Sequence, residues 1–150
     1  MQQINFDDGV TNILEKDSRY AREAYDFLRE ALEFTQKALS KSSKTLITRH
    51  ISGQELLDGI RQYALAIFGP MTVTVFEQWG IKSCEDVGNM VFLMAENQLL
   101  RKTDKDSPED FKNGYSFEKA FREPFLPENK KATGKVREKA DVEARELEKN

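Results

Sequence analysis

Apolar residues recur at helical spacing through most of this chain, and the breaks between the runs fall at polar or Gly/Pro-containing segments. Between Ile4 and Leu14, Phe6, Val10, Ile13 and Leu14 share one helical face, although Gly9 weakens the pattern. A longer helix is expected to start at Asp17 or Ser18. Tyr20, Ala24, Phe27, Leu28, Ala31, Thr35 and Ala38 mark its face, and Ala21, Tyr25, Leu32 and Leu39 widen it. A stripe this broad implies packing on more than one neighbour. Arg19–Glu23 and Arg22–Asp26 stand at i,i+4 as opposite charges.

Ser40 to Lys44 is a polar break, and Thr45-Leu46-Ile47-Thr48 has the β-branched content of a short strand. Ser52-Gly53-Gln54-Glu55 then reads as a capping box, with Ile51 and Leu56 placed as a hydrophobic staple. The helix it opens carries Leu56, Ile60, Ala64 and Ile67 and ends at Gly69-Pro70. Pro70 is suited to the first position of the next helix, where Met71, Val75 and Trp79 share a face before Gly80. Thr72-Val73-Thr74-Val75 also fits a strand. Ser83 and Asp86 resemble a further cap, followed by the stripe Val87, Met90, Val91, Met94, Ala95 and Gln98. Leu99 to Thr103 reads as a short strand. Ser107-Pro108 starts a brief helix ending at Gly114, and Ser116 starts another through Phe121, halted by Pro124. Residues 128–150 hold no aromatics and only the thin apolar line Val136, Ala140, Ala144 and Leu147. The expectation is a compact helical domain over 1–127 and a charged tail over 128–150, frayed or disordered.

The resulting fold class is mostly α. Three successive helices, 53–68, 70–79 and 84–98, form a helix-turn-helix-like unit, with a small β-ribbon of the winged-helix kind around 99–102 and 115–117 as a further expectation. If the β-branched runs are strands, the class becomes α+β.

Composition narrows the function. At 150 residues, with 10 Phe, 4 Tyr and 1 Trp, the chain can bury one real core. A net charge of −3 supplies no general basic field toward nucleic acid or acidic membranes. No apolar run approaches the ~20 residues of a membrane span, and the N-terminus lacks the pattern of a signal peptide. The single cysteine, Cys84, fits a reducing compartment, and the cytoplasm is the expected location. One His and one Cys, far apart, make no standard metal site, and no Gly-rich phosphate cradle or nucleophile motif is present. No cofactor, metal or catalytic residue is therefore assigned, and the reading leans away from an enzyme.

The candidate binding residues are Arg19, Tyr20, Tyr25, His50 and Trp79. Arg19 and Tyr20 have the chemistry to hold an anionic or carbonyl group. The competing structural account has Asp17 capping a helix, Arg19 pairing with Glu23, and the tyrosine hydroxyls reaching partners. His50 lies just ahead of a helix N-terminus, whose positive end favours the neutral imidazole, and reads as a structural residue. Met71, Met90 and Met94 read as core. For nucleic acid, the cations in reach of the would-be wing are Arg101, Lys102 and Lys105, while Glu85 and Asp86 open the would-be recognition helix and oppose phosphate.

The strings Lys16 to Tyr25, Arg49 to Leu57, Phe68-Gly69-Pro70-Met71 and Trp79-Gly80-Ile81, with Gly114-Tyr115-Ser116-Phe117 near the end, resemble an uncharacterised family of small bacterial proteins, a domain of unknown function. The likeness spans roughly residues 3–125. It implies a bacterial source and one compact domain, and it assigns no activity to any residue. The expected role is protein–protein interaction or adaptor work, with another protein or a second copy as partner and no membrane. A winged-helix-type nucleic-acid-binding regulator and a small enzyme are the alternatives.

Overall fold

The computed structural model describes residues 5–43, 51–100, 109–112 and 114–127. Six α-helices carry these residues: α1 (Phe6–Lys16), α2 (Arg22–Ser43), α3 (Gly53–Phe68), α4 (Thr72–Trp79), α5 (Cys84–Glu96) and α6 (Glu109–Lys112). A 3₁₀ turn, Gly69–Met71, joins α3 to α4. A π-helical turn, Glu118–Arg122, runs into a second 3₁₀ turn, Glu123–Phe125. Among the described residues there is no strand, so the fold is mostly α. The β-branched run Thr45–Thr48 and the tail over 128–150 lie outside the described residues.

Local signals explain most helix ends. Asn5 caps α1 by accepting from the Asp7 N–H at 2.9 Å. The capping box of α3 forms as the sequence indicates: the Ser52 hydroxyl accepts from Glu55 N–H at 3.1 Å, and the Glu55 carboxylate accepts from Ser52 N–H at 3.0 Å. Ile51 and Leu56 are both buried beside it. Gly69, at φ +52, and Gly80, at φ +88, take the positive dihedrals that end α3 and α4.

Several expectations change. Helix α2 begins at Arg22 and not at Asp17 or Ser18. Residues 17–21 form a linker, in which Asp17 N–H bonds Ile13 O and so closes α1. Thr72 to Val75 takes the expected helical form and not the strand alternative, with the Thr72 hydroxyl folded onto the preceding turn and bonding Gly69 O at 2.8 Å. The inward face of α4 is Thr72, Val73 and Phe76, leaving Met71 exposed where core was expected. Leu99 and Leu100 lie in a bend after α5, and Tyr115 and Ser116 are irregular.

The broadest helix contact is α2 against α3. At the crossing Gly59 meets Thr35 so closely that a Cβ there would stand 1.7 Å from Thr35 Oγ1. Only glycine lets the two backbones approach this far. Gly9 serves α1 in the same way, since the Leu99 side chain lies against it. The core gathers Val10 and Ile13 of α1, Ala24, Leu28 and Ala31 of α2, Ile60 and Ala64 of α3, Phe76 of α4 and Met90 and Met94 of α5. Phe111 and Phe121 close it from the C-terminal segments.

Candidate interaction surface

The linker 17–21, which carries two of the candidate binding residues, is fastened to the protein through Asp17 N–H, the Tyr20 hydroxyl and Ala21 N–H. The Asp17 carboxylate accepts from Arg19 N–H at 3.1 Å and from the Arg19 guanidinium at 2.7–3.0 Å. These hydrogen bonds hold the Asp17 carboxyl below its usual pKa. Arg19 therefore pairs with Asp17 and not with Glu23, and its guanidinium lies 5.3 Å from the Tyr20 ring centre. The Tyr20 hydroxyl donates to Asp86 Oδ1 at 2.6 Å and accepts from the Asn89 amide at 3.1 Å. Burial, aided by the Asp86 bond, pushes the Tyr20 hydroxyl up to about 12. The other Asp86 oxygen accepts from the N–H groups of Lys82 and Ser83. Ala21 N–H bonds Trp79 O at 3.1 Å, and a Cβ on Gly80 would stand 2.2 Å from Arg19 O.

Two of the motif strings, Asp17 to Ala21 and Trp79-Gly80-Ile81, thus meet and lock the α4–α5 turn against the α1–α2 linker. Others meet as well. The Phe111 ring lies against Gly53, and Gly114 lies against Cys84 and Leu57. The Tyr115 hydroxyl donates to Leu57 O at 2.7 Å. The Cys84 thiol, buried and facing Tyr115 O at 3.4 Å, is pushed up to about 11 by burial. It is a packed thiol and not an activated one.

Tyr25 is fully buried, and its hydroxyl has no hydrogen-bond partner among the described residues. The expectation that both tyrosine hydroxyls reach partners therefore holds for Tyr20 alone. His50, Arg101, Lys102 and Lys105 lie outside the described residues.

Two clefts among the described residues show no catalytic arrangement. One, of about 270 Å³, lies between α2 and α3 and is lined by Thr35, Leu39, Gln54, Glu55, Asp58 and Gln62. Among the described residues its only hydroxyl, on Thr35, donates to Ala31 O at 2.7 Å. The second, of about 320 Å³, lies between α4 and the π turn, where Arg122 spans Glu77 and Glu118. Neither gathers a nucleophile with a base. Among the described residues no cluster of His, Cys, Asp and Glu could hold a metal ion, and no helix is long and apolar enough to cross a membrane.

Trp79 leads to a different kind of site. Its ring stands 5.6 Å from both Phe27 and Phe68 and 6.0 Å from Phe76. Phe27 continues the contacts to Tyr63 at 5.6 Å, and Tyr63 to Phe34 at 5.2 Å. Phe34, Tyr63, Phe68 and Trp79 are each only half-buried, so the row emerges at the surface of α2, α3 and α4. Beside Phe68 the chain exposes Ile67 (49 %) and Met71 (55 %), and Phe125 (45 %) follows the π turn on which Gly69–Met71 packs. Sequence reasoning named Trp79 but not Phe34, Tyr63, Phe68 or Ile67 as surface groups. A signal existed: Phe27 and Phe34, seven residues apart, fall on one flank of α2.

Comparison of the chain with family models, with curated proteins and with solved structures finds no match.

Proposed function

We propose that this domain binds another protein through the face formed by Phe34, Tyr63, Phe68 and Trp79 together with Ile67 and Met71. The single observation that carries the reading is the exposure of Ile67 and Met71 beside an aromatic row that is itself only half-covered. Scattered exposed apolar residues are ordinary, but large ones continuous with half-buried aromatics are the composition of contact surfaces. Tyr and Trp supply rigid contact area at low entropic cost. Membership of the small bacterial family and a cytoplasmic location belong to the same proposal, supported by the motif strings and by the lone, buried thiol.

A photo-crosslinking amino acid placed at position 71, with Glu15 on the exposed side of α1 as control, tests the reading in the source cell. Support is one identified protein captured from 71 and not from 15, which then binds the purified domain. Identical capture from both positions, or none, contradicts it.

Nucleic acid is the second reading, favoured by the three successive helices α3, α4 and α5. The acidic start of α5 weighs against it. Asp86 is occupied by Tyr20 and two backbone N–H groups, and Glu85 is exposed where phosphates would approach. Titration with mixed-sequence duplex is expected to show binding of roughly 10⁻⁴ M or weaker at physiological salt. Tight binding with a steep salt slope would promote the second reading.

A further inference from the structure

The solvent flank of α2 beside the aromatic row is acidic along its first three turns, with Lys37 and Lys41 on the same arc only toward the C-terminal end. At 3.6 residues per turn, Glu23, Asp26, Glu30 and Glu33 fall within one arc of about 80°, next to Phe27 and Phe34. Glu23, Glu30 and Glu33 are exposed and Asp26 is half-buried. Among the described residues none of the four is in an ion pair. Arg22, which the i,i+4 spacing would pair with Asp26, instead donates to Asp7 O at 3.2 Å and to the Thr11 hydroxyl. Arg29 lies 4.5 Å over the Phe6 ring, on the α1 side. Lys37 follows Glu33 at the end of the ridge without an ion pair to it. On α3, the Arg61 guanidinium is held by Asp58 at 2.9 Å.

The ridge also reaches the row itself. The Tyr63 hydroxyl donates to Glu30 Oε2 at 3.2 Å. Burial raises the Tyr63 pKa, and the carboxylates of Glu30 and Glu33 raise it further. Like charges at i,i+3 and i,i+4 destabilise a helix by a few tenths of a kcal/mol per pair. Glu23–Asp26, Asp26–Glu30 and Glu30–Glu33 all have that spacing, and Arg22 and Arg29, which could offset them, are turned toward α1.

Resting on the interaction reading above, we infer that the partner presents a basic amphipathic segment. Its apolar side covers Phe34, Tyr63, Phe68 and Trp79, and its Lys or Arg side chains meet Glu23, Asp26, Glu30 and Glu33. Charge complementarity selects this occupant. A duplex would bring phosphates to four carboxylates. A second copy offers only Lys37 and Lys41 on the matching arc against four carboxylates, in a chain of net charge −3. A cationic segment gains both the carboxylates and the π faces of the row.

Trp79, the single tryptophan, gives the fluorescence readout. The probes are a synthetic amphipathic helix of Leu and Lys and its Leu/Glu counterpart with the same apolar spacing. The Lys peptide is expected to bind at least about tenfold tighter, with the preference lost at about 1 M salt. The preference should also collapse in the variant Glu23→Gln/Asp26→Asn/Glu30→Gln/Glu33→Gln, whose thermal midpoint should stay close to the parent's because none of the four groups is buried. Equal affinity for both peptides, a preference that survives in the variant, or no binding of the Lys peptide would overturn the inference. Ile67→Asp/Met71→Asp separates this from the broader reading. If both peptides bind equally and both are lost in that variant, the face binds partners but charge does not choose them.

Discussion

Tyr20 and Asp86, 66 positions apart in the chain, are joined by a 2.6 Å hydrogen bond that ties the α1–α2 linker to the first turn of α5. Because the acceptor is a carboxylate, the bond is of the stronger kind. The same oxygen pair holds Lys82 N–H and Ser83 N–H, so one side chain organises both the linker and the start of a helix. Asp86 is consequently a structural residue.

Tyr20→Phe is expected to cost about 1.5–3 kcal/mol, the usual loss for a hydrogen bond to a charged group. Tyr25→Phe should behave oppositely. Its hydroxyl is buried without a partner, so removing it should be neutral or stabilising. Urea denaturation of the two variants beside the parent checks the pair, and equal losses would mean that the Tyr25 hydroxyl is satisfied in solution.

Gly59→Ala should be severe for so small a change. The added methyl would meet Thr35 Oγ1 at 1.7 Å, so either Thr35 gives up its bond to Ala31 O or α2 and α3 move apart. Overpacking of this kind costs about 1–3 kcal/mol. The alanine would otherwise favour the helix by roughly 1 kcal/mol, so a stabilised variant in a thermal melt would show that the crossing is looser than described.

The alkaline limb of stability follows from the raised pKa values. The folded protein keeps its proton on Cys84 to about 11 and on Tyr20 to about 12, and Tyr25 and Tyr115 are raised as well by burial. In the unfolded chain the thiol ionises near 9.0 and the phenols near 10.0. Above those values the unfolded state binds fewer protons, so stability falls as pH rises. Their contribution is complete below about pH 9 and lost progressively toward pH 12. Urea midpoints measured across that range should decline, with a shallower decline in Tyr20→Phe.

The parts of this fold that a reader of the sequence can recover are those fixed locally. Helix α3 announces both ends, through Ser52 and Glu55 at one and Gly69 at the other, and all of these signals operate within a few residues. The start of α2 is not recoverable in the same way. Residues 17–21 have helix-compatible spacing, yet they are held as a linker by Trp79, Gly80 and Asp86, which are distant in the chain. Thr72 to Val75 has strand-like composition, and the turn at Gly69 decides for helix. The aromatic face is the least legible part. Tyr63, Phe34 and Phe68 belong to separate helices or separate turns, and only the α2–α3 crossing at Gly59 brings them into one row. Of the candidate binding residues, Tyr20 turned inward and Arg19 folded onto Asp17 as the linker's own hydrogen bonds formed, and Tyr25 turned into the core from the first turn of α2.

The central claim is that the face around Ile67 and Met71 exists to be covered by another protein. Both side chains are about half exposed, so Ile67→Asp/Met71→Asp should leave the thermal midpoint within a few degrees of the parent. The decisive measurement is the affinity of that variant for the partner identified by crosslinking from position 71, taken beside the parent domain. Loss of two aspartate-blocked apolar anchors is expected to weaken binding by about a hundredfold or more. Unchanged affinity in a variant that melts like the parent would contradict the account.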